Sequence, residues 1–359
     1  MLGDTLKALH KYKMKAVVYY SAGLDYNPDP KFLEWTCRDK NGRPLGLAFP
    51  TDWKSFYSPY RHYVTNQLIE ILHNYGPIEG FWLDLYTQPV ISYDRYTRKA
   101  FQSKYGKPIE QATRREAEVF VEDTLRDFLV EIRKSVAAVQ PTVAFTWNGS
   151  GMDDIVRPRK AKLVDGLCDW FSMEGHAVNR IDRGARVGRA DDRPHEVGML
   201  LNSSWYVPTG DPAPPAAMSE AEAVISAATA WIQGANVYAA LTPGHSGVFD
   251  KNGDLSLLRC CGRWLRENHS HLQDVLPYAD AGIVAGHPAP DLLEIPLLRD
   301  IWKRSHWRTP ATETEQPGEV PSLGLRGAGY FTERIGGQFA VCKFDFSSYR
   351  MLVLPETAL

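Results

Sequence analysis

Glu79-Gly80-Phe81-Trp82-Leu83-Asp84-Leu85 is an apolar run that carries one carboxylate near its far end. Its aromatic residues and leucines fit a short buried strand. In parallel α/β architectures the groups that do chemistry stand at the C-terminal ends of strands, so Asp84 falls where a site is expected. Side chains alternate along a strand, which puts Trp82 and Asp84 on one face.

Outward from this run, short apolar stretches alternate with longer amphipathic ones, the pattern of βα units and a parallel sheet. Six strands are expected, over residues 16–21, 80–85, 143–148, 170–174, 197–202 and 237–242. Helices are expected over residues 2–12, 60–74, 93–104, 115–139 and 219–234. In the longest of them Ala117, Val121, Leu125, Phe128, Ile132 and Val136 recur at steps of three and four, giving a stripe to lay on a sheet. Six units are too few to close an eight-stranded barrel. Either the sheet is open or two strands lie outside this sequence. Because the sequence opens on a helical stretch leading into a strand, the second reading is the expectation: a (β/α)8 TIM-type barrel over residues 1–276, lacking its first two βα units. Pro277-Tyr278-Ala279-Asp280 reads as a break before a new strand at Ala281-Gly282-Ile283-Val284-Ala285, so a second domain is expected over residues 277–359. It continues with a helix near residues 292–305, a loop rich in Pro, Thr and Glu around residues 309–321, and strands near residues 339–344 and 349–355, where it too looks unfinished.

The 359 residues, 44% of them hydrophobic, suffice for one large core plus a smaller one. Lys and Arg number 41 against 43 Asp and Glu, with no basic run, which argues against nucleic acid or an anionic membrane surface as partner. The 10 Trp and 17 Tyr could serve stacking on sugar faces or could simply fill a core. Cys37, Cys168, Cys260, Cys261 and Cys342 are scattered without a CxxC pair, which suggests neither a disulfide framework nor a zinc cluster. No run approaches the length of a membrane span and no leader is evident, so a cytoplasmic protein is expected.

Asp84 at a strand exit can attack an anomeric carbon, or it can simply cap the following loop. Glu174 ends another expected strand and is followed by Gly175 and His176, so an acid and a titratable ring leave the sheet together. Two carboxylates on different strands are what glycosidic cleavage requires: one attacks or activates water, the other protonates the leaving oxygen. Glu174 could equally be bonded to a neighbouring loop, and Asp25 and Glu196 are alternatives. Polar and aromatic residues cluster at the other strand ends: Tyr19 and Tyr20, Trp147 and Asn148, Asn202 and Trp205, and His245. Together with Trp82 and His176 they are the expected substrate-binding residues, since amide and indole groups suit hydroxyl contacts beside ring stacking. His269 and His271 near Glu267 lack a third ligand at suitable spacing, so no metal is expected. Gly244-His245-Ser246-Gly247 and the glycines of residues 324–329 do not follow a nucleotide-binding spacing, and no cofactor is expected.

Ala16-Val17-Val18-Tyr19-Tyr20-Ser21, Gly80-Phe81-Trp82-Leu83-Asp84 and Ala100-Phe101-Gln102-Ser103-Lys104-Tyr105-Gly106-Lys107-Pro108 together resemble the α-L-fucosidase-related glycosyl hydrolases. The resemblance is closest to a branch that joins a catalytic barrel to a β-galactosidase trimerisation-type domain. Tyr349-Arg350-Met351-Leu352-Val353-Leu354-Pro355 is similar to a strand of that second domain, which is flavodoxin-like in the family. The resemblance implies that Asp84 is the nucleophile of a retaining exo-glycosidase and Glu174 its acid/base, acting on terminal sugars of oligosaccharides or glycosides. It also implies a homo-oligomer formed through the C-terminal domain. Relatives carry two earlier strands, with His and Asp residues lining the pocket, that have no counterpart here. The alternatives are a non-catalytic carbohydrate-binding or oligomer-forming remnant, and a glycosidase of β-galactosidase type.

Overall fold

The structure, a computed structural model, describes residues 2–25, 27, 29–46, 52–86, 91–148, 150, 166–175, 178–189, 193–200, 218–240, 254–272, 279, 281–284, 339–342 and 351–353. The chain divides into two compact units, one made of residues 1–148, 157–169 and 291–319, the other of residues 149–156, 170–290 and 320–359.

In the first unit, helix α1 (Leu2–Lys11) leads into strand β1 (Val17–Ser21), and β2 (Gly80–Asp84) and β3 (Ala144–Trp147) follow. The three strands form a parallel sheet in the order β1-β2-β3, with Tyr19 opposite Trp82, Trp82 opposite Thr146, and Ser21 opposite Asp84. Parallel neighbours need long crossovers. Helix α3 (Tyr60–Tyr75) lies between β1 and β2, and α5 (Arg114–Val139) between β2 and β3. Alternation sorts the strands into two faces: Val18, Phe81, Leu83, Phe145 and Trp147 are buried, as are Val64, Leu68 and Leu72 of α3 and Phe128, Leu129, Ile132 and Val136 of α5. Each such Leu or Phe contributes about 1.5–3 kcal/mol on burial, which makes this layer the main source of cohesion in the unit.

The helix ends are written locally. Thr113 caps α5 in a capping box with Glu116, and the helix stops at Gln140, whose extended backbone (φ −141°, ψ 100°) is what the following Pro141 favours. The Gln140 side chain then clamps both backbone groups of Ile78, fixing the C-terminus of α5 to the start of β2. Helix α4 (Arg95–Tyr105) is capped by Asp94 and ends at Gly106 in the left-handed region (φ 70°). At the edge of β3, the Asp169 N–H donates to the Phe145 carbonyl at 2.8 Å, while the Asp169 carboxylate accepts the Phe145 N–H at 2.7 Å and forms a salt bridge with Arg133 at 2.7 Å.

Between β1 and α3 the described residues form an excursion around the short helix α2 (Pro30–Glu34). Antiparallel bridges (Leu24 with Trp53, Thr36 with Lys54) fold it over a small core of Leu24, Cys37, Leu45 and Trp53. The buried Lys54 amine donates to the Phe32 carbonyl and to Thr36 Oγ1, near the C-terminal end of α2. Burial lowers its pKa, with Asp52 and Asp25 pulling the other way.

In the second unit, β4 (Phe171–Gly175), β5 (His195–Leu200) and β6 (Asn236–Ala240) form a parallel sheet in that order. Helices α6 (Val178–Arg189) and α7 (Glu220–Ile232) cross over between them, and α8 (Asp254–Leu272) follows. The core here is small-residue: Ala185, Ala223, Ala227 and Ala230 pack with Met173, Ile181, Val197, Met199 and Leu257. Gly188 lets α6 approach the sheet, since a Cβ there would stand 2.6 Å from the Met173 methyl and 2.7 Å from the His195 ring. Trp231 of α7 and Trp264 of α8 stack at 5.9 Å. A further parallel sheet, in the order β8-β7-β9, is made by β7 (Ala281–Val284), β8 (Phe339–Cys342) and β9 (Met351–Val353).

The architecture is therefore α/β with parallel sheets and crossover helices, and all six expected strands are present within two residues of their expected bounds. Among the described residues those six strands form two three-stranded sheets. Helix α6 was not expected. Its sequence, VNRIDRGARVGR, holds two glycines and little apolar surface, so intrinsic propensity is low and packing decides. The expected helix near residues 292–305 and the loop around residues 309–321 lie outside the described residues. Among the described residues no helix is long and apolar enough to cross a membrane.

Candidate active site

Asp84 is the last residue of β2, the central strand of its sheet, and its carboxylate is held by three donors. Tyr19 Oη donates to Oδ2 at 2.5 Å, Asn148 Nδ2 to Oδ1 at 3.0 Å, and the Leu85 backbone N–H to Oδ1 at 2.9 Å. Each donor arrives from a different place: β1, the residue just past β3, and the turn after β2 itself. The register explains the first. Tyr19 stands opposite Trp82, two residues before Asp84, and a tyrosine is long enough to reach one strand position further along the same face. Trp82 and Tyr19 stack with centroids 5.5 Å apart and planes 18° apart, so an aromatic pair lies beside the acid. Tyr19 is 57% exposed, and Trp82 and Asp84 are half-buried, so this face is open.

The turn that follows is tightly built. Leu85 has φ 55°, a left-handed conformation that costs a leucine about 1 kcal/mol or more. It persists because the excursion closes over it: the Ala22 N–H bonds the Asp84 carbonyl at 2.9 Å, and a Cβ on Gly23 would stand 2.1 Å from the Leu85 carbonyl oxygen. Gly23 is thus required by close approach, since the same Cβ would also stand 2.5 Å from the Trp53 ring. With the Asn148 N–H bonded to the Leu83 carbonyl at 3.1 Å, backbone contacts from both neighbouring segments fix the strand end. Chemically, this arrangement presents an oriented carboxylate on an open aromatic face.

The structure separates the expected residues into groups. Tyr19, Trp82, Asp84 and Asn148 come together. Tyr20 turns the other way, giving its hydroxyl to Gln67 of α3, which in turn donates to Tyr63. Burial, with smaller effects from Tyr63 and Asp25, pushes the Tyr20 hydroxyl above the ordinary phenol range, so it stays a neutral donor. Trp147 is 0% exposed and packs its ring 6.2 Å from Tyr86, in the core rather than on the open face. Both follow from alternation: Tyr20 and Trp147 are one residue out of phase with Tyr19 and Asn148. Asp25 accepts from the Asn27 N–H at 2.8 Å, a local turn contact. Glu174 lies in β4, its Cα paired with Gly198 of β5, and Glu196 pairs with Ser172 and Asn236. His176, Asn202, Trp205 and His245 lie outside the described residues. Gly23 and Leu85 carried no signal in the sequence, because a close approach between segments some sixty residues apart leaves no local pattern. Among the described residues no cluster of three His, Cys, Asp or Glu side chains could hold a metal.

No family model matches the chain, and no curated protein matches it by sequence. Its fold is similar to that of an alpha-L-fucosidase, isoenzyme 2 from Paenibacillus thiaminolyticus, with a TM-score of 0.73 at 16% identity over 99% of this chain and 50% of that one. It is also similar to a beta-galactosidase from the psychrophilic Marinomonas ef1, with a TM-score of 0.66 at 12% identity over 99% of this chain and 64% of that one. A beta-galactosidase from the Antarctic haloarchaeon Halorubrum lacusprofundi gives 0.64 at 15% identity over 99% and 61%. The chain spans between half and just under two thirds of these proteins' lengths while sharing their fold along nearly all of its own.

Proposed function

We propose that the chain belongs to a retaining exo-glycoside hydrolase of α-L-fucosidase type, with a barrel-type catalytic domain, acting on terminal sugars of oligosaccharides or glycosides. The observation that carries this reading is the Asp84 carboxylate, oriented by three donors at the C-terminal end of a parallel strand and flanked by a stacked tyrosine and tryptophan. A carboxylate fixed this way is suited to attack an anomeric carbon, and the rings are suited to the apolar edge of a deoxy sugar. In the first step Asp84 forms a bond to the anomeric carbon while the bond to the leaving oxygen breaks and that oxygen takes a proton. In the second, water adds to the same carbon, gives up a proton, and releases the carboxylate. Glu174, near the C-terminal end of β4, is the proposed group that gives and then takes that proton. Support for the class comes from the shared fold with an alpha-L-fucosidase and two beta-galactosidases. The galactosidase likenesses favour a second reading in which the terminal sugar is a galactoside.

A panel of aryl glycosides tests both. Turnover of the fucoside above the galactoside supports the first reading, and the reverse order supports the second. Asp84→Asn is expected to lower turnover by about 10³-fold or more. Glu174→Gln is expected to lower kcat/KM by roughly 10²-fold or more for substrates with poor leaving groups while sparing kcat/KM for dinitrophenyl glycosides, whose first step needs no proton. Unchanged turnover in Asp84→Asn contradicts the proposal.

A further inference from the structure

The two oxygens of Asp84 are not equivalent. Oδ1 accepts two hydrogen bonds, from the Leu85 N–H and from Asn148 Nδ2, which use both of its lone pairs. Among the described residues Oδ2 accepts one, from the Tyr19 hydroxyl, which leaves its other lone pair on the face that carries Trp82. The oxygen able to form a new bond is therefore the one that Tyr19 touches. We propose that Oδ2 is the attacking oxygen and that Tyr19 is a positioning residue whose hydroxyl governs chiefly the second half of the reaction. This rests on the reading of Asp84 as nucleophile.

The asymmetry between the steps follows from where charge goes. When Oδ2 bonds to the anomeric carbon, its negative charge is spent in the new ester, the electron pair of the broken glycosidic bond leaves on the departing oxygen, and the Tyr19 hydrogen bond weakens. Removing the Tyr19 hydroxyl thus costs the first step little, because a less solvated carboxylate is the better nucleophile. In the second step a water oxygen bonds to the anomeric carbon and loses a proton, and the electron pair of the carbon–Oδ2 bond returns to Oδ2. Charge then develops beside the Tyr19 hydroxyl, where a donor at 2.5 Å stabilises it. A hydrogen bond to a charged group is worth enough to account for a rate effect of about 10- to 100-fold. The phenylalanine variant keeps the ring and its stacking on Trp82, so the β1–β2 packing stays intact.

The test is pre-steady-state kinetics of Tyr19→Phe on an activated dinitrophenyl glycoside, set beside Asp84→Asn. The expected result is that kcat falls about 10- to 100-fold, KM falls with it, and kcat/KM, which reports the first step, stays within roughly threefold. A burst of dinitrophenol close to one equivalent of enzyme should appear, with the sugar adduct visible by intact-mass spectrometry. A purely structural Tyr19 would lower kcat and kcat/KM together and give no burst. If Asp84→Asn is inactive but Tyr19→Phe shows no burst, the role given to Tyr19 is overturned alone. If Asp84→Asn still turns over, the underlying reading falls instead.

Discussion

The β1–β3 sheet and the β4–β6 sheet solve the same packing problem with opposite materials. In the first, Phe81, Phe145, Trp147, Tyr86 and Phe128 fill the space beside the sheet with rings. In the second, Ala185, Ala223, Ala227 and Ala230, with Gly184 and Gly188, bring helices close to the strands. Rings contribute through area, whereas small residues contribute through close approach. The first sheet should therefore suffer most when atoms are removed and the second when atoms are added.

Two substitutions probe that contrast. Phe128→Ala removes a ring set 4.9 Å from Phe56 and 5.0 Å from the Arg61 guanidinium, and should cost about 3–5 kcal/mol in denaturant unfolding. Gly188→Ala adds one methyl against the His195 ring. Overpacking costs about 1–3 kcal/mol, but alanine regains about 1 kcal/mol of helix propensity over glycine, so a net loss of about 1 kcal/mol is expected. A larger loss at Gly188 than at Phe128 would reverse the contrast.

The smallest expected effect compares one device used in both units. Thr113 with Glu116 and Ser219 with Glu222 are capping boxes of the same design. Only Glu116 also receives a lysine, Lys107 at 2.8 Å, which leads the backbone and hydroxyl bonds from Thr113 in holding its pKa at about 2. Glu222 is lowered by its Ser219 bonds alone. Because both folded pKa values are depressed, the stabilisation is present above the unfolded value of 4.5 and is lost as pH falls toward the folded one. Glu116→Gln should therefore flatten the acid limb of stability between about pH 5 and pH 2 more than Glu222→Gln does, as followed by circular dichroism.

The difference between the sheets also shows what a sequence displays. The six strands and the long α5 stripe were legible because apolar periodicity is a local signal carried by large side chains. Helix α6 was not, because its glycines and arginines hide a helix that exists by fitting Met173, Val197 and His195. At the candidate site, Asp84 and Trp82 were legible from alternation within one strand. The same rule, applied to neighbouring strands, would have sorted Tyr19 from Tyr20 and Asn148 from Trp147, whereas proximity to a strand end alone grouped them together. Leu85 and Gly23 depend on two distant backbones meeting, which no single stretch encodes.

Covalent trapping identifies the attacking carboxylate itself. After incubation with 2-deoxy-2-fluoroglycosyl fluorides of the fucose and galactose series, one equivalent of sugar per chain is expected, mapped by tandem mass spectrometry to the peptide carrying Asp84. A label on a different carboxylate, or steady turnover of an aryl glycoside with the product formed in inverted configuration, would rule out Asp84 as the nucleophile of a retaining reaction.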